Sequence, residues 1–286
     1  MQHKKRSQII AGLDVGASAT KAVLIKESRV VSQYLAETTD SISSAKRVLS
    51  VLVSSVKNGS KIQKVAVSGG GSRIIGKQLL GFPVERVDEI IANGYGGLFL
   101  SRKNQGIIVS IGTGTSIVAA YEGGRKIVHL GGTGVGGGTI LGLARRMLDV
   151  NNFKILENMA LKGDINRVDL TVGDVVGGSI GIIPADATAS NLAKLCVETS
   201  QEDVAAGIFN LVSQVVGVVS AMAAKSCGLE NDVIFVGRLA KSPLVSRIVL
   251  ETVNIFGLKA IVPEKCEYCT ASGAAVYVLG GLANEH

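Results

Sequence analysis

Apolar residues along this chain follow two rhythms. Short unbroken runs of Val, Ile, Leu and Ala, as in QIIAGLDV and TKAVLI, alternate with stretches whose apolar positions recur every three or four residues. The first kind predicts buried strands and the second predicts helices with one apolar face. The opening segment reads as strand, turn, strand, short turn, strand, with Gly16-Ala17-Ser18-Ala19 as the first turn. SISSAKRVLSVLVSSVKNG then predicts a helix, with Val48, Leu49, Leu52, Val53 and Val56 on its apolar face and Asn58-Gly59 as its C-cap. KIQKVAVSGGGS is a strand running into a glycine turn, and FPVERVDEIIANGYGGLFLSR is a short strand followed by a helix.

A similar grammar starts again near Gln105. QGIIVSIGTGTSIVAAYEGGRKIVHLGG predicts a new strand pair, and GGTGVGGGTILGLARRML a glycine turn opening a helix. FKILENMALKGD is another helix; VDLTVGDVVGG and GIIPADATASNLAKL read as loop-rich. A long helix covers about Glu202 to Cys227, and DVIFVGRLAKSPLVSRIVLETVNIFG gives a buried strand, a glycine turn and a helix. A strand near Ala260–Val262 and the helix TASGAAVYVLGGLA finish the chain. The order of elements in 8–57 thus recurs at 105–149, without any repeat of sequence. This alternation predicts an α/β protein of two lobes of similar plan, 1–103 and 104–286, with a cleft between them.

Composition narrows the picture. A chain of 286 residues with 47% hydrophobic and 19% charged residues can bury a real core and is not disordered. Its 36 glycines follow no collagen-like period and suit tight turns and close backbone approach. Aromatics are few and Trp is absent, which argues against a stacking platform for single-stranded nucleic acid. The net charge is +7, yet the basic residues are scattered apart from HKKR at 3–6. That run reads as a solvated tail, and the positive field suits a small anionic substrate better than nucleic acid. Ile9-Ile10-Ala11 is too short an apolar run for a signal peptide.

Val204 to Ala224 is long and uncharged, but it carries Asn210, Ser213, Gln214 and Ser220 and has no aromatic belts. It reads as a helix buried in a soluble protein, not a membrane span. Of the four cysteines, Cys266 and Cys269 in CEYC have metal-type spacing, but there is no second pair and only three histidines. Nor does CEYC sit at a thioredoxin-like strand-to-helix junction. The cysteines read as packing or surface thiols, and the lack of a disulfide framework suits a cytoplasmic enzyme.

The chemistry gathers at four glycine-rich turns. SIGTGTS places Gly112, Thr113, Gly114 and Thr115 in a tight hairpin whose successive N–H groups can form a nest for an anion, with hydroxyls at Thr113, Thr115 and Ser116 as further donors. An ordinary hairpin turn would use the same glycines. GLDVGASATK ends a strand on Asp14 and follows it with Gly16, Ser18 and Lys21. Asp14 is placed to hold Mg²⁺ through water, and Lys21 to neutralise a transferring phosphate. GGTGVGGGT opens a helix with Gly134, Gly136, Gly137 and Gly138, and helix N-termini favour phosphates or a base edge. Gly237 in FVGRLAKSP ends a strand and leaves room for adenosine. Glu89 stands at a helix start, where it is either a general base or, with Asp88, an electrostatic cap.

The order of these turns resembles the acetate and sugar kinase, Hsp70 and actin superfamily, and within it the type II pantothenate kinases. LDVGASATK, VDEIIANGYG, SIGTGTS, GGTGVGGGTILGL, KGDINRVDLTVGD, IPADATASN, VGRLAKSPL and ASGAAVYVL carry the likeness over most of the chain. The resemblance implies two ribonuclease H-like lobes, the actin-like ATPase fold. It implies phosphorylation of pantothenate by Mg²⁺ and ATP, the first step of coenzyme A synthesis, in a homodimer with its dimerisation and adenosine elements in the second lobe. It puts Asp14, Ser18 and Lys21 at the phosphates, Gly112 to Thr115 on the second phosphate hairpin, and Glu89 in the role of general base. Thr113, His129 and Gly131 fall at the substrate end. The sequence departs from the family at His129, where an arginine helps bind pantothenate, and at Ile91, where an aspartate is frequent two residues after the base. Histidine lacks the bidentate guanidinium fork. Three other readings use the same turns: a kinase of another small hydroxyl compound, an ATPase activator of radical dehydratases with a cluster on cysteines, and a non-catalytic nucleotide sensor.

Overall fold

The computed structural model describes residues 8–56 and 61–280, so the HKKR run and the Asn58-Gly59 cap lie outside the described residues. The first part of the chain forms β1 (Ile9–Val15), β2 (Ala19–Lys26), β3 (Arg29–Glu37), α1 (Ser41–Ser55), β4 (Ile62–Ser68), β5 (Gln78–Leu79), β6 (Phe82–Arg86) and α2 (Glu89–Ser101). Next come β7 (Gly106–Ile111), β8 (Thr115–Tyr121), β9 (Lys126–Thr133), α3 (Gly137–Leu148), α4 (Phe153–Ala160), β10 (Leu170–Thr171), α5 (Val172–Val176) and β11 (Thr188–Ser190). The chain closes with α6 (Gln201–Cys227), β12 (Val233–Val236), α7 (Pro243–Ile255), β13 (Ala260–Ile261) and α8 (Cys269–Val278).

The strand order in the first large sheet is β3-β2-β1-β4-β6-β5 and in the second β13-β12-β7-β8-β9. Read from the meander outward, β3-β2-β1-β4-β6 and β9-β8-β7-β12-β13 follow one plan, so the repeated grammar of the sequence is a repeated sheet order. In the first sheet β1–β2 and β2–β3 are antiparallel, while β1–β4 and β4–β6 are parallel.

Two compact units emerge from the contacts: one takes in the described residues of Met1–Ile108, Val118–His129 and Pro263–His286, the other Val109–Ile117 and Leu130–Val262. The division is therefore not a single cut between 103 and 104. The chain returns to the first unit, and the last helix packs there.

Within the first unit, side chains alternate across the sheet with the two-residue strand period. Ala11, Leu13, Val65 and Val67 pack with Val48, Leu49 and Leu52 of α1, while Ile10, Val23 and Ala66 pack with Ala271, Ala274 and Ala275 of α8. Close approach explains why α8 lies where it does. A Cβ on Gly12 would stand 2.0 Å from the Ala271 carbonyl oxygen, one on Gly96 2.1 Å from the Cys269 oxygen, and one on Gly273 1.8 Å from the Ala92 oxygen. Helices α2 and α8 thus cross backbone against backbone. Cys266 and Cys269 are buried at this seam's N-terminal end, as packing thiols.

In the second unit, α6 is the long apolar helix expected from the sequence. Ser200 caps its start by accepting from Asp203 N at 3.2 Å, and Gly228 ends it at φ +66°. Among the described residues it is the one helix long and apolar enough to cross a membrane, but 72% of its most apolar window is buried inside the protein. Its Asn210 and Gln214 bond the segment that read as loop-rich: Asn210 Nδ2 donates to Asp169 Oδ2 at 2.6 Å and Gln214 Nε2 to Thr188 Oγ1 at 3.1 Å. That segment also holds the short α5, started by a reciprocal cap between Thr171 and Asp174.

Candidate active site

The first cluster of site residues lies at the ends of β1, β4 and β6. Asp14 and Lys21 are register partners on β1 and β2. Lys21 Nζ donates to Asp14 Oδ2 at 2.8 Å, and the two side chains keep only 13% and 9% of their exposure. Between them the turn is closed by Gly16 N donating to Ala19 O at 3.2 Å. A Cβ on Gly16 would lie 2.8 Å from that same oxygen. The turn is tied to the rest of the unit by Thr38, whose Oγ1 donates to Gly16 O at 2.9 Å and whose N donates to Ser18 O at 3.2 Å. Ser18 itself sits at the exposed tip.

Glu89 is the first residue of α2. The cap belongs to its neighbour: Asp88 Oδ1 accepts from Ile90 N at 2.8 Å and from Ile91 N at 3.4 Å. Burial, and then the negative charge of Asp14, raise the Glu89 carboxyl above the usual carboxylate range; Lys21 opposes the shift and Asp88 adds to it. The residue still meets solvent, so its desolvation is partial. A raised carboxylate in the field of a paired ammonium and a second carboxylate holds its proton to a higher pH than an ordinary glutamate.

The second cluster lies in the second unit, around the β7–β8 hairpin. Gly112 N donates to Gly114 O at 2.8 Å and closes the turn. Helix α3 begins directly on this hairpin: Gly137 N donates to Gly112 O at 2.9 Å and Gly138 N to Thr113 O at 2.9 Å. Those two amides are spent on protein carbonyls, so the triple glycine is a clamp that holds the hairpin. Side chains would not fit, because a Cβ on Gly136 would stand 2.7 Å from the Thr113 oxygen and 2.8 Å from Gly114 Cα. Thr115 Oγ1 is turned inward and donates to Val135 O at 2.8 Å, while Thr113 is exposed at the tip. Gly237 ends β12 at φ +96°, and a Cβ there would lie 2.5 Å from the Ile111 oxygen, which brings this turn against the base of the hairpin. Gly134 has open space around it, as does Gly131 at φ +119°, and His129 is exposed on β9.

The structure thus joins Asp14, Gly16, Ser18 and Lys21, with Glu89 in electrostatic reach, in one unit. It joins Gly112 to Thr115, Gly136 to Gly138 and Gly237 in the other. The sequence pattern passes over Ser68 and Gly69, which flank Asp14, and Asn93, one turn after Glu89 on α2. The run Ser68-Gly69-Gly70-Gly71 at a strand end was the signal available for the first two. Thr270 Oγ1 of α8 donates to Asn93 Oδ1 at 2.8 Å.

Among the described residues, no group of three or more His, Cys, Asp or Glu is placed to hold a metal ion. A buried single carboxylate, Asp14, fits Mg²⁺ as that ion is usually held beside phosphate oxygens, with one or two carboxylates and retained water.

Comparison with known proteins follows the same lines. The family described as Fumble matches residues 105–276. A type II pantothenate kinase of Bacillus cereus is 32% identical over 191 residues, covering 64% of this chain and 69% of the relative. Another from the same species is 29% identical over 237 residues, covering 79% and 82%. Among solved structures, the activator of 2-hydroxyisocaproyl-CoA dehydratase from Clostridium difficile, with bound ADPNP, superposes with a TM-score of 0.68 at 20% identity over 96% of this chain and 95% of its own. A ROK family glucokinase from Streptomyces griseus, in complex with glucose and AMPPNP, gives 0.62 at 14% identity over 96% and 100%. At these identities the structural likeness shows the fold, that of the actin-like ATPases.

Proposed function

This chain belongs to the Fumble family, that of the type II pantothenate kinases, and from that premise we propose how its own residues transfer a phosphoryl group. The protein is an ATP-dependent kinase of the primary hydroxyl of pantothenate. Asp14 and Lys21 attend the phosphates from the β1–β2 turn, with Gly16 and Ser18 in the same turn. The hairpin Gly112 to Thr115, held by the Gly136–Gly138 clamp, is a second phosphate-binding turn; Gly134 and Gly237 belong to the nucleotide side. Thr113, His129 and Gly131 form the substrate end. Mg²⁺ on Asp14, through water, supplies charge neutralisation at the phosphates when bound.

Glu89 accepts the proton of the attacking hydroxyl as the new P–O bond forms and the bond to ADP breaks. Lys21 offsets the charge of the transferring group, after which the proton on Glu89 passes to solvent. The single observation that supports this reading is the Asp14–Lys21 pair, Nζ 2.8 Å from Oδ2 at the end of β1, with Glu89 at the start of α2 within its electrostatic field. Coenzyme A synthesis as the setting, a cytoplasmic location and a homodimer complete the proposal; neither nucleic acid nor membrane takes part.

The test is ADP release from Mg²⁺-ATP with pantothenate, pantetheine and a panel of small polyols, beside a Glu89→Gln control. Pantothenate-dependent turnover that Glu89→Gln abolishes is expected. ADP release that is the same with and without any acceptor overturns the reading.

A further inference from the structure

Ser68 is the last residue of β4 and the register partner of Asp14 on β1. Register partners on parallel strands point to the same face of a sheet. Here that face is the one on which Gly12 and Ala66 meet α8. Ser68 is 0% exposed, and its Oγ is buried without a hydrogen-bond partner. A buried hydroxyl left unpaired costs free energy, and native proteins keep few of them. The next residue, Gly69, has φ +84°, and a Cβ there would lie 2.5 Å from Asp14 Oδ1. So the end of β4 wraps the Asp14 carboxylate while the hydroxyl at the paired position, Ser68, stays idle.

Asp14 already has a partner, Lys21 Nζ on Oδ2. That ammonium is also the one the proposed reaction needs at the phosphates. A lysine that turns toward phosphate takes a protein donor away from a carboxylate with less than a tenth of its side-chain surface exposed, beside whatever water of the Mg²⁺ shell reaches it. We propose that Ser68 is a further positioning residue of the site: its hydroxyl donates to the Asp14 carboxylate once Lys21 turns to the nucleotide. The register of β1 and β4 puts the two residues side by side for that exchange. The exchange keeps Asp14 oriented and paired through the reaction. The inference rests on the assignment of Asp14 and Lys21 to the phosphates.

Ser68→Ala separates this role from a structural one. The hydroxyl bonds nothing in the resting protein, so the variant should unfold at the same temperature as the unmodified chain or slightly higher. Mg²⁺-ATP should bind it roughly tenfold more weakly, the loss expected for a hydrogen bond to a charged group. The rise in melting temperature given by Mg²⁺-ATP should shrink accordingly, while KM for pantothenate stays unchanged. Mg²⁺-ATP affinity equal to that of the unmodified protein overturns the proposal. A clear drop in the resting melting temperature overturns it too, because the hydroxyl would then be engaged at rest. The unmodified chain serves as the check on the underlying reading: if it binds Mg²⁺-ATP but never phosphorylates pantothenate, the substrate assignment fails while the Ser68 measurement still stands.

Discussion

Lys21 and Asp14 face each other across the β1–β2 ladder with Nζ 2.8 Å from Oδ2, in a setting that leaves 13% and 9% of their side chains exposed. Pairs this well buried have little water to fall back on. The turn between them is tied by two hydrogen bonds to Thr38, directly after β3, so the two groups are presented on a held turn and not on a free loop.

Replacing Lys21 with Met should therefore cost stability as well as activity. It strands the Asp14 carboxylate, and breaking a buried pair from one side costs about 3 kcal/mol. In thermal unfolding, a drop of roughly 5–10 °C is expected. Asp14→Asn combined with Lys21→Met should recover part of the loss, since no lone charge remains. A double variant as unstable as the sum of the singles would show that the two groups do not act as a pair.

On the proposed role, Glu89 should set the acid limb of the pH profile. Its carboxyl is raised, so the protonated form persists to a higher pH than an ordinary glutamate allows. A base works only when ionised, so kcat/KM should fall as pH drops through a value above the usual glutamate range. The sign for folding is opposite to that of a salt-bridged carboxylate: stability linked to Glu89 is greatest below its unfolded pKa and diminishes as pH rises through the folded one. Glu89→Gln should thus leave the melting temperature at pH 7 unchanged or higher while lowering kcat roughly 10²–10⁴-fold. A limb at the ordinary glutamate position, unmoved by Lys21→Met, would count against the assignment.

The glycine clamp gives a graded test within one turn. Gly136→Ala puts a Cβ 2.7 Å from the Thr113 oxygen and must push α3 off the hairpin, whereas Gly134→Ala meets nothing within 4 Å. Nucleotide titration should show about a tenfold or greater loss of ATP affinity for Gly136→Ala, on the scale of a displaced set of phosphate donors. Gly134→Ala, which leaves the clamp intact and meets only the nucleotide side, should lose clearly less. Equal losses in both would mean that glycine is needed there for contact with a ligand, not for the clamp.

Much of this could be read from the residues in order. Unbroken apolar runs such as IIAGLDV can only be buried strands or core helix, and their alternation with periodic stretches fixed the element order and the repeated meander. Partners were harder. The triple glycine at 136–138 has one local signature for two jobs, holding an anion or holding a hairpin, and only the carbonyls of Gly112 and Thr113 decide between them. Helix α8 is small-sided nearly all round, in TASGAAVYV, so its periodicity names no face and its return to the first unit is invisible locally. Thr171-Val-Gly-Asp174 does spell a capping pattern, which a loop-rich reading of that segment passes over. Ser68 has only the weak signature of a strand end running into Gly69-Gly70-Gly71; its idle hydroxyl is a property of the register between β1 and β4.

The α2–α8 crossing supplies the last prediction, as a contrast between two glycines in helices. Gly142 is exposed in the middle of α3, with nothing within 4 Å of a Cβ. Alanine there removes unfolded-chain entropy and should stabilise by roughly 0.5–1 kcal/mol, a rise of about 2 °C. Gly273 sits where a Cβ would be 1.8 Å from the Ala92 oxygen and 2.5 Å from Gly96 N, both rigid backbone. Alanine there must separate the two helices, at a cost above about 4 kcal/mol. Because α2 begins with Glu89, any surviving folded fraction of Gly273→Ala should have lost turnover while keeping its helical circular dichroism. A Gly273→Ala protein with normal kcat would mean that the position of α2 against α8 does not govern the base.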